Sequence, residues 1–126
     1  RYLIEVGEHK EEQRSSGIWV STPAGSTGSL RSAGGTIMSL SERKFQFMVR
    51  EACLRPGQSW QLLDGFLNED QSMRIVSEMR TGEVYIDGPH IIHTLTLGDE
   101  LVIKPSHDLR AFIHSSVNDV FLKAKH

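Results

Sequence analysis

One stretch of the sequence combines residue types that can bind a nucleotide. Six hydroxyl side chains lie between Ser21 and Ser32, and glycines are interspersed among them. Glycine lets a ligand approach the backbone closely, and hydroxyl groups offer donors and acceptors to ribose and amide groups without a net charge. The stretch therefore predicts a binding loop for a polar ligand, and an ordinary Gly/Ser loop is the alternative.

The residues that follow predict a short helix directly after this loop. Ser26 or Thr27 can cap a helix over residues 27–33, and Gly34 fits the left-handed position that ends a helix. Free N–H groups at such a helix N-terminus suit a phosphate. The loop is not a phosphate-binding P-loop, because no Lys follows the glycine at the required spacing, and it does not reproduce the Rossmann dinucleotide fingerprint either.

No other group of residues predicts a catalytic or metal site. His90 and His93 are three residues apart, so on a strand they face opposite sides and do not converge on a metal ion. No Ser/His/Asp arrangement has a nucleophile elbow, so Ser21 and Ser26 are not expected to be nucleophiles. The paired acids at residues 11–12 and 69–70 are interpreted as solvated turns, and the single Cys53 as a buried structural thiol.

Composition limits the kind of protein. The chain has 126 residues, 38% of them apolar, which suffices for one domain with a core. Its 14 basic and 16 acidic residues give a net charge of -2, so neither a nucleic acid nor a membrane surface is the expected partner. A lone cysteine favours a reducing compartment, with the cytoplasm as the default. The chain opens at Arg1 without an initiator Met and is interpreted as a piece of a longer protein.

Apolar residues alternate between frequent Gly and Pro residues, a pattern that predicts β-strands. We expect Glu8–Ser16 to be a polar loop, the Ile18–Val20 run to be a strand buried on both faces, and Pro56-Gly57 to form a turn. The further strands are expected at residues 3–6, 45–49, 60–67, 73–79 and 109–114.

The second half of the sequence predicts a meander. The alternating pattern and the turn dipeptides Asp87-Gly88 and Gly98-Asp99 indicate three successive strands between Glu83 and Lys104, and a final helical turn over residues 117–124. The overall prediction is a single all-β domain over residues 1–126, an antiparallel β-sandwich with one short helix after the Gly/Ser-rich loop.

The segment from Ser16 and Gly17 through Gly35 resembles the signature of the NAD kinases. That signature reads Asp-Gly-hydrophobic-x-Val-Ser-Thr-Pro-Thr-Gly-Ser-Thr-Ala-Tyr, followed by Ser-Ala-Gly-Gly. The segments 84–88 and 97–103 resemble the closing strands of the family's C-terminal domain. Residues 47–51 and the missing aromatic residue in the signature resemble the plant-type NADH kinase branch.

The resemblance implies the C-terminal domain of a kinase that uses ATP and Mg²⁺ to phosphorylate the 2′-hydroxyl of the adenosine ribose in NAD or NADH. It implies an N-terminal α/β domain of the same protein and a homo-oligomer as partners. Thr27 and Gly28 fall where the family touches the adenine and nicotinamide ends. The positions implied to bind the dinucleotide are Ser16, Ser21, Thr22, Ala24, Gly25, Ser26, Thr27, Gly28 and Ser32. A group of large apolar residues suits either the core or a subunit contact: Phe45, Phe47, Met48, Trp60 and Leu62.

Three departures qualify the resemblance. Ser16 stands where the family has Asp, and Gly28-Ser29 replaces Ala-Tyr, which removes an aromatic stacking surface. The family's catalytic Asp belongs to a Gly-Gly-Asp-Gly-Thr motif of the N-terminal domain, and these 126 residues contain no such motif. We therefore expect no catalytic residue in this chain and no activity from it alone. The alternative is a non-catalytic nucleotide-binding or oligomerisation module of the same fold.

Overall fold

Antiparallel β-strands make up the regular structure of the described residues. The computed structural model describes residues 1–22, 34–38, 43–86, 91–104, 110–114 and 119–123. The strands are β1 (Tyr2–Val6), β2 (His9–Gln13), β3 (Gly17–Ser21), β4 (Phe45–Arg50), β5 (Asp64–Leu67), β6 (Met73–Ser77), β7 (Gly82–Ile86), β8 (Ile91–Leu95), β9 (Glu100–Lys104), β10 (Arg110–His114) and β11 (Asp119–Lys123). The all-β prediction is confirmed, and the predicted helix over residues 27–33 lies outside the described residues.

The strands form three sheets around a shared core. A six-stranded sheet has the order β11-β10-β9-β6-β1-β2, a three-stranded sheet has the order β3-β4-β5, and β7 pairs with β8 alone. Side chains from all three sheets meet in one cluster that includes Ile4 of β1, Phe47 of β4, Met73 of β6 and Leu95 of β8. Phe45, Phe47 and Leu62 belong to this cluster, so the structure places them in the core and not at the surface.

The polar segment at residues 8–16 was predicted as a loop, and that prediction is wrong. Residues 9–13 form β2, which pairs with β1 through a tight turn at Gly7, where φ is 61°. The alternation is hidden because β2 is an edge strand of mostly exposed polar residues, and only Gln13 is buried. The Gln13 amide donates to the Leu62 carbonyl at 3.0 Å and accepts the Tyr2 hydroxyl at 2.9 Å.

The acid pair at Glu11 and Glu12 does not form a solvated turn. Glu11 is partly buried, and its carboxylate accepts the backbone N–H groups of Gln61 and Leu62 at 2.6 and 3.1 Å. Burial pushes the pKa of Glu11 up, but these hydrogen bonds, that of Gln13 and the nearby His9 outweigh it, so the pKa lies below its usual value. Glu11 thus ties β2 to the segment that leads into β5.

The predicted three-strand meander is also wrong. β7 and β8 pair as expected, but β9 leaves them and pairs with β6 and β10 in the six-stranded sheet. The turn before β9 holds as predicted, with Gly98 at φ 87°. Long-range packing decides which sheet the strand after a turn joins. The local alternation of apolar residues does not carry that information.

Four smaller expectations are corrected. The strand predicted over residues 60–67 is confined to Asp64–Leu67, and residues 119–123 form a strand where a helical turn was expected. The run Ile18–Val20 is half-buried, because β3 lies at the edge of its sheet. Cys53 is exposed rather than buried. The Pro56-Gly57 turn is confirmed: Gln58 N–H donates to the Arg55 carbonyl at 3.0 Å, and Gly57 has φ 81°.

Candidate functional site

The Gly/Ser-rich segment leaves and rejoins the described structure at one place, the three-stranded sheet. It begins where β3 ends at Ser21, and the description resumes at Gly34, before β4. Successive side chains of a strand point to opposite faces, so the register of the sheet assigns each residue to a face. That assignment identifies the face of the sheet on which residues 34–36 lie.

The inner face of this sheet is apolar. Phe45, Phe47 and Leu67 are buried there in the shared core, with Ile18 and Val20 packed against the same cluster. This face therefore packs the three-stranded sheet against the other two sheets.

The outer face of the sheet is mixed in character and only partly covered. Ser21, Gln46 and Phe66 are direct partners across the three strands and therefore share this face. Trp19 and Met48 are partners one step along. Phe66 is exposed, and the Lys44 ammonium lies 4.5 Å from the centre of its ring.

Gln46 fixes the point at which the segment returns to the sheet. Its side-chain oxygen accepts the Thr36 N–H at 2.8 Å, and its amide nitrogen donates to the Thr36 carbonyl at 3.0 Å. Gln46 is only 4% exposed, so these two bonds are shielded from water. The side chain satisfies both backbone groups of Thr36, as a neighbouring strand would.

Gly34 lies over the same face. Its φ is 97°, a conformation that L side chains rarely adopt, which agrees with the prediction of a left-handed glycine at this position. A β-carbon at Gly34 would stand 3.7 Å from the terminal methyl group of Met48. The stretch 34–36 therefore runs across the outer face from Met48 to Gln46.

Ser21 and Thr22 mark the entrance of the segment. Ser21 is buried at the end of β3, and its hydroxyl donates to the Thr22 carbonyl at 2.8 Å. Because Ser21 is the register partner of Gln46, the entrance and the exit of the segment meet the sheet at the same position along β4. Ser21 and Gln46, which hold the two ends of the predicted binding loop, are thus about one strand spacing, ~5 Å, apart.

Ser16 lies elsewhere. It precedes Gly17 at the opposite end of β3 from Ser21, about 17 Å away at the usual rise per strand residue. Its N–H and its hydroxyl both reach the Arg50 carbonyl, at 3.0 and 3.1 Å. The structure therefore brings Ser21 and Thr22 together and separates Ser16 from them.

The end of the sheet next to Ser16 carries both a cation and a carboxylate. The Arg50 guanidinium lies 5.5 Å from the ring centre of Trp19 and 3.7 Å from the Glu51 carboxylate. The Trp19 indole nitrogen is buried and makes no hydrogen bond. Sequence analysis did not single out Arg50 or Trp19, since their proximity depends on the register of β3 against β4.

The remaining predicted residues lie outside the described residues: Ala24, Gly25, Ser26, Thr27, Gly28 and Ser32. Sequence reasoning missed Gln46, which stands ten residues beyond the Thr36 that it binds. Its only sequence signal is a polar residue between Phe45 and Phe47, which is also what any alternating strand shows.

Two further observations concern metals and membranes. Among the described residues, no three His, Cys, Asp or Glu side chains are grouped so that they could hold a metal ion. The described part of the chain likewise contains no helix with the length and apolar character needed to cross a bilayer.

Comparisons with known proteins agree on one group of relatives. The chain is 41% identical over 90 residues to a probable NADH kinase of Oryza sativa subsp. japonica, a match covering 71% of this chain and 28% of that protein. It is 36% identical over 108 residues to an NADH kinase of Arabidopsis thaliana, covering 85% of this chain and 34% of that protein. The chain thus spans about a third of the length of these curated relatives. No protein-family profile matches it.

Proposed function

From the premise that this chain belongs to the NAD kinase family, in its plant-type NADH kinase branch, we propose that it is the C-terminal dinucleotide-binding and assembly domain of an ATP-dependent kinase. The reaction is transfer of the terminal phosphate of ATP to the 2′-hydroxyl of the adenosine ribose in NAD or NADH, which yields NADP or NADPH. The chain's part in it is to bind the dinucleotide.

The observation that carries this proposal is the anchoring of the Gly/Ser-rich segment at both ends. At the exit, the Gln46 side chain binds both backbone groups of Thr36. At the entrance, the Ser21 hydroxyl donates to the Thr22 carbonyl. Fixing the two ends of a binding loop reduces the entropy lost when a ligand binds. Neutral donors and acceptors suit the ribose and amide groups of a dinucleotide.

The proposed binding residues follow from the family signature. Ser21, Thr22, Ala24, Gly25, Ser26, Thr27, Gly28 and Ser32 form one set, which belongs to the anchored segment. Ser16 lies at the far end of β3. It can contact the same dinucleotide only if the ligand extends along that strand.

Chemistry is assigned to the rest of the enzyme. We propose that the general base and the groups that bind ATP and Mg²⁺ lie in the N-terminal α/β domain. Phosphoryl transfer depends on charge neutralisation around the triphosphate, and the Gly-Gly-Asp-Gly-Thr motif that supplies the family's general base does not occur in these 126 residues. The isolated chain is accordingly expected to form no NADP or NADPH.

Assembly is the second part of the proposal. Tyr85 and Ile92 face each other across β7 and β8, and both are more than half exposed. Exposed apolar pairs of this kind are found where subunits meet. Light scattering of the native-length protein tests the proposed homo-oligomer, and a monomer at all concentrations would contradict it.

The decisive experiment is a 2′-phosphorylation assay. The native-length protein is incubated with ATP and Mg²⁺ and with NAD or NADH in separate reactions, and NADP or NADPH is measured enzymatically. The chain 1–126, purified free of host kinases, is assayed in parallel. Product from the native-length protein alone supports the proposal in full, and product from the chain alone would contradict the assignment of chemistry to the other domain.

A non-catalytic module is the second candidate function. The replacement of Ala-Tyr by Gly28-Ser29 and of Asp by Ser16 favours it, because both changes remove groups through which the family signature binds its ligand. Calorimetric titration with NADH separates the two candidates. Dinucleotide binding by the native-length protein without product in the assay would favour the module, and binding with product would favour the kinase.

A further inference from the structure

Gln46 is the residue through which the sheet controls the Gly/Ser-rich segment, and we propose that it is a positioning residue for dinucleotide binding. This inference rests on the proposed function. Gln46 does not belong to the signature, and its side chain is engaged with the backbone of Thr36, so it acts through the segment and does not touch the ligand.

The first argument is the chemical match between Gln46 and Thr36. An amide presents one acceptor and one donor in the same plane, and the two backbone groups of Thr36 require one of each. An isosteric carboxylate offers only acceptors at neutral pH, and a leucine offers neither. Among side chains of this length, only glutamine satisfies both groups without a charge.

The second argument is the position of Gln46 in the sheet. It is the register partner of Ser21, and the core side chains Phe45 and Phe47 flank it on the opposite face. The strand that contains Gln46 is therefore fixed in the core, and the two hydrogen bonds from Gln46 fix Thr36 relative to it. Thr36 is thereby fixed over the outer face of the sheet.

The third argument is that Gln46 holds the exit residue Thr36 itself. Gly34 has no side chain, Ile37 is half exposed, and the buried Met38 anchors the chain two residues beyond Thr36. If the two bonds from Gln46 are lost, Thr36 gains conformations in the free protein, and each of them must be excluded again when the ligand binds. The cost falls on binding of the dinucleotide rather than on turnover.

Asp99 supplies a matched control in another sheet. It is also 4% exposed, and its carboxylate also makes two hydrogen bonds to a single loop residue, the N–H and the hydroxyl of Thr96 at 2.7 and 3.1 Å. Asp99→Ala therefore removes a comparable pair of buried bonds without touching the segment. It reports what loss of stability alone does to the assay.

The test compares Gln46→Leu, Gln46→Glu and Asp99→Ala in the native-length protein. We expect Gln46→Leu to raise the KM and the Kd for NADH about tenfold, with kcat and the KM for ATP changed less than twofold. Asp99→Ala should lower the unfolding temperature by a similar amount and leave the Kd for NADH unchanged. Equal Kd values for Gln46→Leu and the unchanged protein would overturn the inference.

Gln46→Glu provides a readout that a purely structural role would not move. Its carboxylate accepts the Thr36 N–H but repels the Thr36 carbonyl, so binding should be weak at pH 8. Protonation restores one donor beside one acceptor, and burial raises the pKa at which this occurs. We expect the Kd for NAD to recover at least fivefold between pH 8 and pH 5.5 in this variant, relative to the unchanged protein.

This variant also covers the case in which Gln46→Leu does not fold. A Kd for the Gln46→Glu protein that does not depend on pH would overturn the inference. If the unchanged protein binds neither NAD nor NADH, the proposed function itself fails, and the inference fails with it. If the unchanged protein binds and all variants bind equally well, only the role of Gln46 is lost.

Discussion

Two loops of this molecule are each held by one buried side chain, and the two side chains come from different places in the chain. Asp99 closes its own turn: it bonds to Thr96, three residues earlier, and the turn contains Gly98 at φ 87°. Gln46 instead reaches up from a strand of the sheet to Thr36, ten residues earlier and across the outer face.

The difference separates a structural loop from a candidate functional one. The Asp99 turn is short and is locked to the neighbouring strand, because Gly98 N–H donates to the Ser77 carbonyl at 2.8 Å and Ser77 N–H to the Asp99 carbonyl at 2.9 Å. Such a turn serves the pairing of β6 with β9. The described residues of the Gly/Ser-rich segment meet the sheet at Ser21 and at Thr36, and long loops held at their ends are common places for binding residues.

The largest effect should come from removing the Asp99 carboxylate. Asp99→Ala leaves the Thr96 N–H and hydroxyl without their buried acceptor, which we expect to cost about 2–3 kcal/mol of unfolding free energy. Urea denaturation followed by circular dichroism measures it. Asp99→Asn retains an acceptor oxygen and should cost about half as much. If Asp99→Ala changed NADH binding more than stability, the division between the two loops would be wrong.

Asp99 and Gln46, the two side chains that act as clamps on their loops, also differ in how far the sequence predicts their roles. Gly98-Asp99 is a turn dipeptide, and its Asp finds its partner within the turn, so the turn was predicted from residues alone. The role of Gln46 needs the register of β3, β4 and the returning segment, and long-range pairing determines that register.

The same distinction runs through the fold. Strands β1, β3 and β4 were predicted because their apolar residues alternate or cluster, and the Pro56-Gly57 turn because proline and glycine fit a turn with positive φ at its third residue. The edge strand β2 was missed because only one of its residues is buried. The partners of β9 were missed because they depend on which strand lies beside it in the finished core.

Each clamp has a glycine with positive φ beside it, and the second prediction substitutes both. Gly98→Ala and Gly34→Ala place a β-carbon at φ 87° and 97°, and each should cost about 1–2 kcal/mol of unfolding free energy. Only Gly34→Ala should also raise the Kd for NADH, by roughly threefold to tenfold, because relief of the strained φ moves the exit of the segment; the added β-carbon itself has room beside Met48. The pair of variants is read by urea denaturation and calorimetric titration.

The contrast would disappear if both glycine variants weakened NADH binding equally. It would also disappear if neither did so while both lowered stability as expected. Either result would show that the stretch 34–36 is an ordinary connection, whatever the segment itself binds.

A third, smaller effect is expected at the entrance of the segment. The Ser21 hydroxyl makes one local bond, to the Thr22 carbonyl, whereas Gln46 makes two at the exit. Ser21→Ala should therefore cost about 0.5–1 kcal/mol of unfolding free energy and raise the KM for NADH about threefold. Ser21→Thr keeps the hydroxyl and serves as the control. A larger effect at Ser21 than at Gln46 would mean that the hydroxyl itself contacts the ligand.

The smallest effect concerns pH and sets a charged clamp against the neutral one. Glu11 holds the N–H groups of Gln61 and Leu62 with a carboxylate whose pKa is lowered from 4.5. A group with a lowered pKa in the folded state stabilises the protein above its usual pKa, and this contribution is lost as the pH falls through the folded value. The Gln46 amide does not titrate, so its contribution is the same at every pH.

Urea denaturation at pH 7 and pH 4 separates the two kinds of clamp. Glu11→Gln should lower stability more at pH 7 than at pH 4, with a difference of about 0.5 kcal/mol or less, because acid has already weakened the carboxylate in the unchanged protein. Gln46→Leu should lower stability by the same amount at both pH values. If the stability lost in Gln46→Leu depended on pH, a titrating group beside Thr36 would also hold the exit of the segment, and the amide would not hold it alone.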